Sequence, residues 1–135
     1  MALTHLLDTS VYCQPLKPRP LPAVEQRWRV LGDDALAVSV IGEAEILNGI
    51  ELKQSARLLA LYDQLLRNRL AVLPVDAAVA KSFSQIKAAA RKRGFASSDF
   101  DLLIAATAKT HGLTVATLNV RHFEGVHGLA VEDWS

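Results

Sequence analysis

A three-layer α/β/α fold with a mostly parallel central sheet is what the sequence predicts. Short apolar runs at 3–7, 36–39, 70–75 and 113–117 alternate with longer segments of helical period. Strands separated by helices imply a parallel sheet covered on both faces. With 135 residues and 50% hydrophobic content, the chain has enough apolar material for one ordinary core, and neither a repeat nor a break divides it, so one domain over 1–135 is expected.

Taken in order, residues 3–7 read as a buried strand ending at Asp8, and PLKPRPLP after Cys13 reads as a loop, because proline removes backbone donors. A helix resumes near Ala23 and stops by Gly32. The run LAVS at 36–39 is the second strand, and 40–50 forms a helix apolar almost all round, hence buried, closing near Gly49. An amphipathic helix over 55–68 takes Ser55 as its cap, LAVLPV at 70–75 is the third strand, and a helix over 76–92 ends at Gly94. Ser97 or Ser98 opens a helix to about His111, LTVAT at 113–117 is the fourth strand, 120–123 is a turn, and 129–131 is the last strand.

The bulk numbers exclude several classes. One cysteine, Cys13, allows neither an internal disulfide framework nor a multi-thiolate metal site. The N-terminus has no basic stretch leading into a long apolar one, and no apolar run approaches the ~20 residues that cross a bilayer. A soluble, cytoplasmic protein with no membrane partner is the expectation. A net charge of +1 does not by itself call for a polyanionic partner. Cations gather at Lys87, Arg91, Lys92 and Arg93 and again at Lys17, Arg19, Arg27 and Arg29. A solvated helix end accounts for the first group as well as a nucleic-acid contact does.

Three acids stand out because their surroundings are apolar: Asp8 in LTHLLDTS, Glu45 in VSVIGEAEILNGI and Asp101 in SSDFDLLIAATA. Burying a carboxylate is costly unless it is paired, and a divalent cation is a partner that tolerates several at once. Each acid also has a plain structural role open to it. Asp8 suits a helix N-cap, and Ser98 with Asp101 three residues on resembles a capping box. Glu43 and Glu45, at about 100° per residue, point to nearly opposite sides of one helix, and periodicity does not choose between them. Asp99 reads as first-turn helix charge. Together the acids suit oxygen ligation of Mg²⁺ or Mn²⁺ and hydrolysis of a phosphate ester. Parallel topology brings Asp8 and Thr117 together at strand C-terminal ends. The Thr9 hydroxyl lies beside Asp8, and in ATLNVRHFEG either Asn119 or His122 is placed to order a water or contact phosphate; a plain turn explains that segment equally. The histidines lack zinc spacing, and His5 and His111 read as structural or surface residues.

At this point LLDTS, AEILNG, DLLIAATA, TLNVRHFEGVHGL and VEDW, in that order and spacing, resemble the PIN-domain ribonucleases, specifically the VapC-type toxins of bacterial toxin–antitoxin pairs. The resemblance spans essentially the whole chain. It implies a Mg²⁺- or Mn²⁺-dependent endoribonuclease acting on tRNA or mRNA, with Asp8, Glu45 and Asp101 as the acidic triad, and it selects Glu45 over Glu43. Asp8 and Asp101 would be the principal metal ligands, Glu45 a ligand or the group that orients the attacking water. Thr9, Thr117, Asn119 and His122 would be supporting or phosphate-contacting residues. Asn119 and His122 stand where a fourth acid is common, which implies one firmly held ion and at most a second arriving with substrate. The resemblance further implies a homodimer and a cognate antitoxin that blocks the site. Two rivals carry different chemistry. An aspartate-nucleophile phosphatase lacks its second aspartate, since Thr9 and Ser10 follow Asp8. A non-catalytic binding module would use the acids only as caps and contacts.

Overall fold

The computed structural model describes residues 2–135. Five strands and six helices follow in order: β1 (His5–Leu7), α1 (Thr9–Tyr12), α2 (Pro22–Leu31), β2 (Leu36–Ser39), α3 (Val40–Lys53), α4 (Ala56–Leu65), β3 (Ala71–Leu73), α5 (Ala77–Arg93), α6 (Asp99–His111), β4 (Thr114–Thr117) and β5 (Val131–Asp133). Single 3₁₀ turns occupy Gln14–Leu16, Asp33–Ala35 and Val120–His122.

All strand pairings are parallel and the order is β3-β2-β1-β4-β5, so β1 is central. Its neighbours are level with it: Leu7 pairs with Val38 on one side and with Ala116 on the other. Alternation along β1 splits the core in two. Leu7 packs with Tyr12, Trp28, Ile46, Tyr62 and Trp134, whereas Leu6 packs with Val79, Ile104, Ala105, Val115 and Phe123. Helices α1, α2 and α4 therefore cover one face, and α5 and α6 the other.

The local signals explain most boundaries. The Ser55 hydroxyl accepts from Leu58 N and opens α4. Gly94, at φ 71°, closes α5 in the left-handed conformation that glycine adopts without strain. Ser98 accepts from Asp101 N and opens α6.

Five expectations are corrected. Helix α3 does not close at Gly49; it runs to Lys53 and ends on Gln54 at φ 48°. The cost of a mid-helix glycine, about 1 kcal/mol, is outweighed by packing of the next residue, Ile50, into the core. Nor is α3 buried all round: Gly42, Ile46 and Ile50 are buried, whereas Leu52 is 77% exposed. The last strand is Val131–Asp133, not 129–131, because Val115 pairs with Val131 and this register draws the VEDW segment into the sheet. The first strand is also shorter than 3–7, and the third shorter than 70–75.

Candidate active site

The site forms at the C-terminal edge of the central strands. Asp8 directly follows β1, and its backbone N–H donates to Ala116 O at 2.9 Å, which continues the β1–β4 ladder by one step. Its side chain is 4% exposed and fully engaged. Oδ1 accepts from Thr9 N at 2.7 Å; Oδ2 accepts from Thr117 Oγ1 at 2.7 Å and from Ser10 Oγ at 2.9 Å. Asp8 thus serves as the N-cap of α1, and this role leaves it at the strand end beside Thr117, so the cap does not exclude a ligand role.

Glu45 comes from α3. Its Oε1 accepts from Thr9 Oγ1 at 2.7 Å, so one threonine ties two of the acids together. Gly42 lets α3 lie close on β2 next to Thr9: a Cβ there would stand 3.2 Å from Val38 Cγ2, tighter than ordinary contact, and an ordinary 3.5 Å from Thr9 Oγ1. Glu43 faces away and accepts from Tyr62 Oη at 2.9 Å. Of the two glutamates between which periodicity did not choose, Glu45 is the one that stands beside Thr9 and Asp8.

Asp101 comes from the first turn of α6, with the buried Ala105 and Ala108 on its side of the helix. Its Oδ2 lies 3.3 Å from His122 Nδ1. The carbonyl of His122 in turn accepts from Ser97 Oγ at 3.0 Å, which ties the 3₁₀ turn to the start of α6. Thr117 is fully buried and accepts from Asn119 N at 2.9 Å, while the Asn119 side chain reaches the exposed rim.

Electrostatics knit the acids together. Burial pushes Glu45 above the ordinary carboxylate range, and the charges of Asp101 and Asp8 push the same way against the Thr9 hydrogen bond. Asp101 is also raised, by burial first and then by Asp8, with Ser98 and His122 opposing. Among the described residues no lysine or arginine forms an ion pair with any of the three. Negative charge collected without a lysine or arginine beside it favours a hard cation.

Ser10 is the residue the sequence analysis passed over. It accepts from Leu118 N at 3.1 Å while donating to Asp8, and so clips the end of β4 to the acid. No local signal marked it, because the Leu118 N–H that it accepts from lies 108 positions away in sequence. The cation group is partly spent on the fold: Lys87 pairs with Asp99 at 2.8 Å, and Arg93 donates to Gly125 O.

Residues 5–128 match the PIN domain family. The chain is 35% identical to the tRNA(fMet)-specific endonuclease VapC of Shigella flexneri, covering 98% of this chain and 99% of that protein. Toxin FitB of Neisseria gonorrhoeae is 33% identical, covering 96% and 97%. In structure, the crystal structure of DNA-bound VapBC from Salmonella typhimurium superposes with a TM-score of 0.87 at 31% identity, over 98% of this chain and 99% of that one. With the parallel sheet, the acids at its C-terminal edge and full-length likeness in agreement, the chain belongs to the PIN domain family.

Proposed function

We propose that the protein is an endoribonuclease of the VapC kind, the toxin of a type II toxin–antitoxin pair, which hydrolyses phosphodiester bonds of tRNA or mRNA. The observation that carries this is the convergence of Asp8, Glu45 and Asp101 from β1, α3 and α6 with no lysine or arginine paired to them. Relatives named as ribonucleases VapC along the whole chain give the reaction its class.

Among the described residues no three His, Cys, Asp or Glu side chains stand close enough to cage an ion by themselves. The donor set nevertheless fits Mg²⁺ or Mn²⁺, because Mg²⁺ keeps several waters and uses only one or two carboxylates from the protein. Asp8 and Asp101 would hold the ion, and Glu45 would hold it or orient the attacking water. When bound, such an ion lowers the pKa of water and offsets charge that builds on the phosphate. The chain's own part is orientation. Thr9, Ser10 and Thr117 fix both oxygens of Asp8, and Thr9 fixes Glu45. His122 neutralises Asp101 when protonated, and with Asn119 it stands at the rim, where substrate phosphate would arrive.

A cognate antitoxin, a homodimer and a cytoplasmic site of action complete the reading. Support comes from the likeness to toxins crystallised as VapBC and FitAB assemblies. No described helix is long and apolar enough to cross a membrane.

The test is cleavage of total RNA by antitoxin-free protein with and without Mn²⁺ or Mg²⁺, beside Asp101→Asn. Discrete, metal-dependent fragments that disappear in the variant are expected. Absence of cleavage together with absence of Mn²⁺ binding would leave a binding module as the better account.

A further inference from the structure

Glu43 lies outside the acidic site, yet it is not a solvated helix acid. Its Oε2 accepts from Tyr62 Oη at 2.9 Å, and Tyr62 is fully buried on α4. The Tyr12 ring, also buried, brings its hydroxyl into the same cluster, where it donates to Leu66 O at 3.4 Å and acts on Tyr62. Burial, the Tyr12 hydroxyl and Glu43 all push the Tyr62 phenol above its ordinary range, so it remains a donor at any working pH.

Tyr12 closes α1, the same short helix whose first residue, Thr9, donates to Glu45. Helix α3 is thus gripped on two nearly opposite sides: Glu45 by Thr9 at one end of α1, and Glu43 by Tyr62 beside the other end. Residues two positions apart on a helix differ by about 200° in direction, so a rotation of α3 that relaxed one bond would break the other. We propose that Glu43, held by Tyr62, is a positioning residue that sets the rotation of α3 and so delivers Glu45 to the site. The idea rests on the ribonuclease reading only for its kinetic readout.

Displacing a reacting group by about 1 Å costs up to about 100-fold in rate. Loss of the strut, which loosens α3 without removing Glu45, should lower kcat roughly tenfold. The test compares Tyr62→Phe, Glu43→Ala, their double variant and Glu43→Gln, each assayed well below its melting temperature. Expected are a lower kcat with KM for RNA nearly unchanged in both single variants, no further loss in the double, and recovery in Glu43→Gln, whose amide oxygen still accepts from Tyr62. Independently of activity, the side-chain carboxyl ¹³C resonance of Glu45, assigned through Glu45→Gln, should shift or broaden in Tyr62→Phe and Glu43→Ala and return in Glu43→Gln. An inactive native protein would count against the ribonuclease reading alone, because the resonance still reports the grip. A Glu45 resonance unchanged in both single variants, or additive losses in the double, would overturn the positioning role.

Discussion

Thr117 shows how much one side chain settles at this site. It was placed there by topology alone, as the residue ending a parallel strand, and it proves to be a donor to the buried Asp8. Replacing it with isosteric valine leaves Asp8 Oδ2 with one fewer partner and Asn119 N without its acceptor. A stability loss of about 1–3 kcal/mol is expected, since a buried polar group pays desolvation when its partner goes. Urea denaturation of Thr117→Val measures it; a change below about 0.5 kcal/mol, the usual range for surface substitutions, would show that water replaces the hydroxyl. Ser10 has the same kind of role and was not anticipated, because a serine in a first turn reads as helix composition until the strand it clips is known.

At the scale of elements, the helices are set by their ends and by where they approach one another. Ser98 caps α6 and thereby places Asp101, so Ser98→Ala should cost about 1 kcal/mol. The same change should lower cleavage, and denaturant midpoints beside initial rates would report both. Gly42 is the opposite case. Alanine there gains about 1 kcal/mol of helix propensity, yet its Cβ would crowd Val38 at 3.2 Å, beside the Thr9 hydroxyl that holds Glu45. The expected outcome for Gly42→Ala is a melting temperature close to native with cleavage reduced several-fold. Unchanged cleavage would mean that α3 can shift without moving Glu45. This close approach was invisible in the one-dimensional pattern, which marked only Gly49, and that as a helix end; a Cβ at Gly49 meets nothing within 4 Å.

Across the whole molecule, long-range polar ties join segments far apart in sequence. Asp33 accepts from Trp28 Nε1 at 2.7 Å and pairs with Arg69 at 3.1 Å, which links the turn before β2 to α2 and to the end of α4. Arg69 also lies over the Trp28 ring at 4.7 Å. Burial alone would raise the Asp33 carboxyl, but the Trp28 and Arg69 contacts outweigh it and the net shift is downward. A depressed folded-state value contributes stability above the unfolded value, about pH 3.9, and loses it as pH falls through the folded one. Asp33→Asn should therefore melt below the native protein at pH 7, and the gap should close as pH falls below about 4. Thermal melts across that range check the sign; a gap that widens on acidification would contradict it.

The sequence by itself determined the alternation of strands and helices, the caps at Ser55 and Gly94, a serine cap at 97 or 98, and the three acids in apolar company, because each of these is a local signal read within a few residues. It also carried the resemblance to the PIN domain, since five short motifs kept their order and spacing. Tertiary structure decided which glutamate meets Thr9, that Asp8 caps α1 while bonded to Thr117, that α3 continues past Gly49, and that VEDW joins the sheet at Val131. Those outcomes depend on which surfaces meet across the sheet. Helix rotation and strand register are set by long-range packing, and one chain's periodicity does not encode its partner's position.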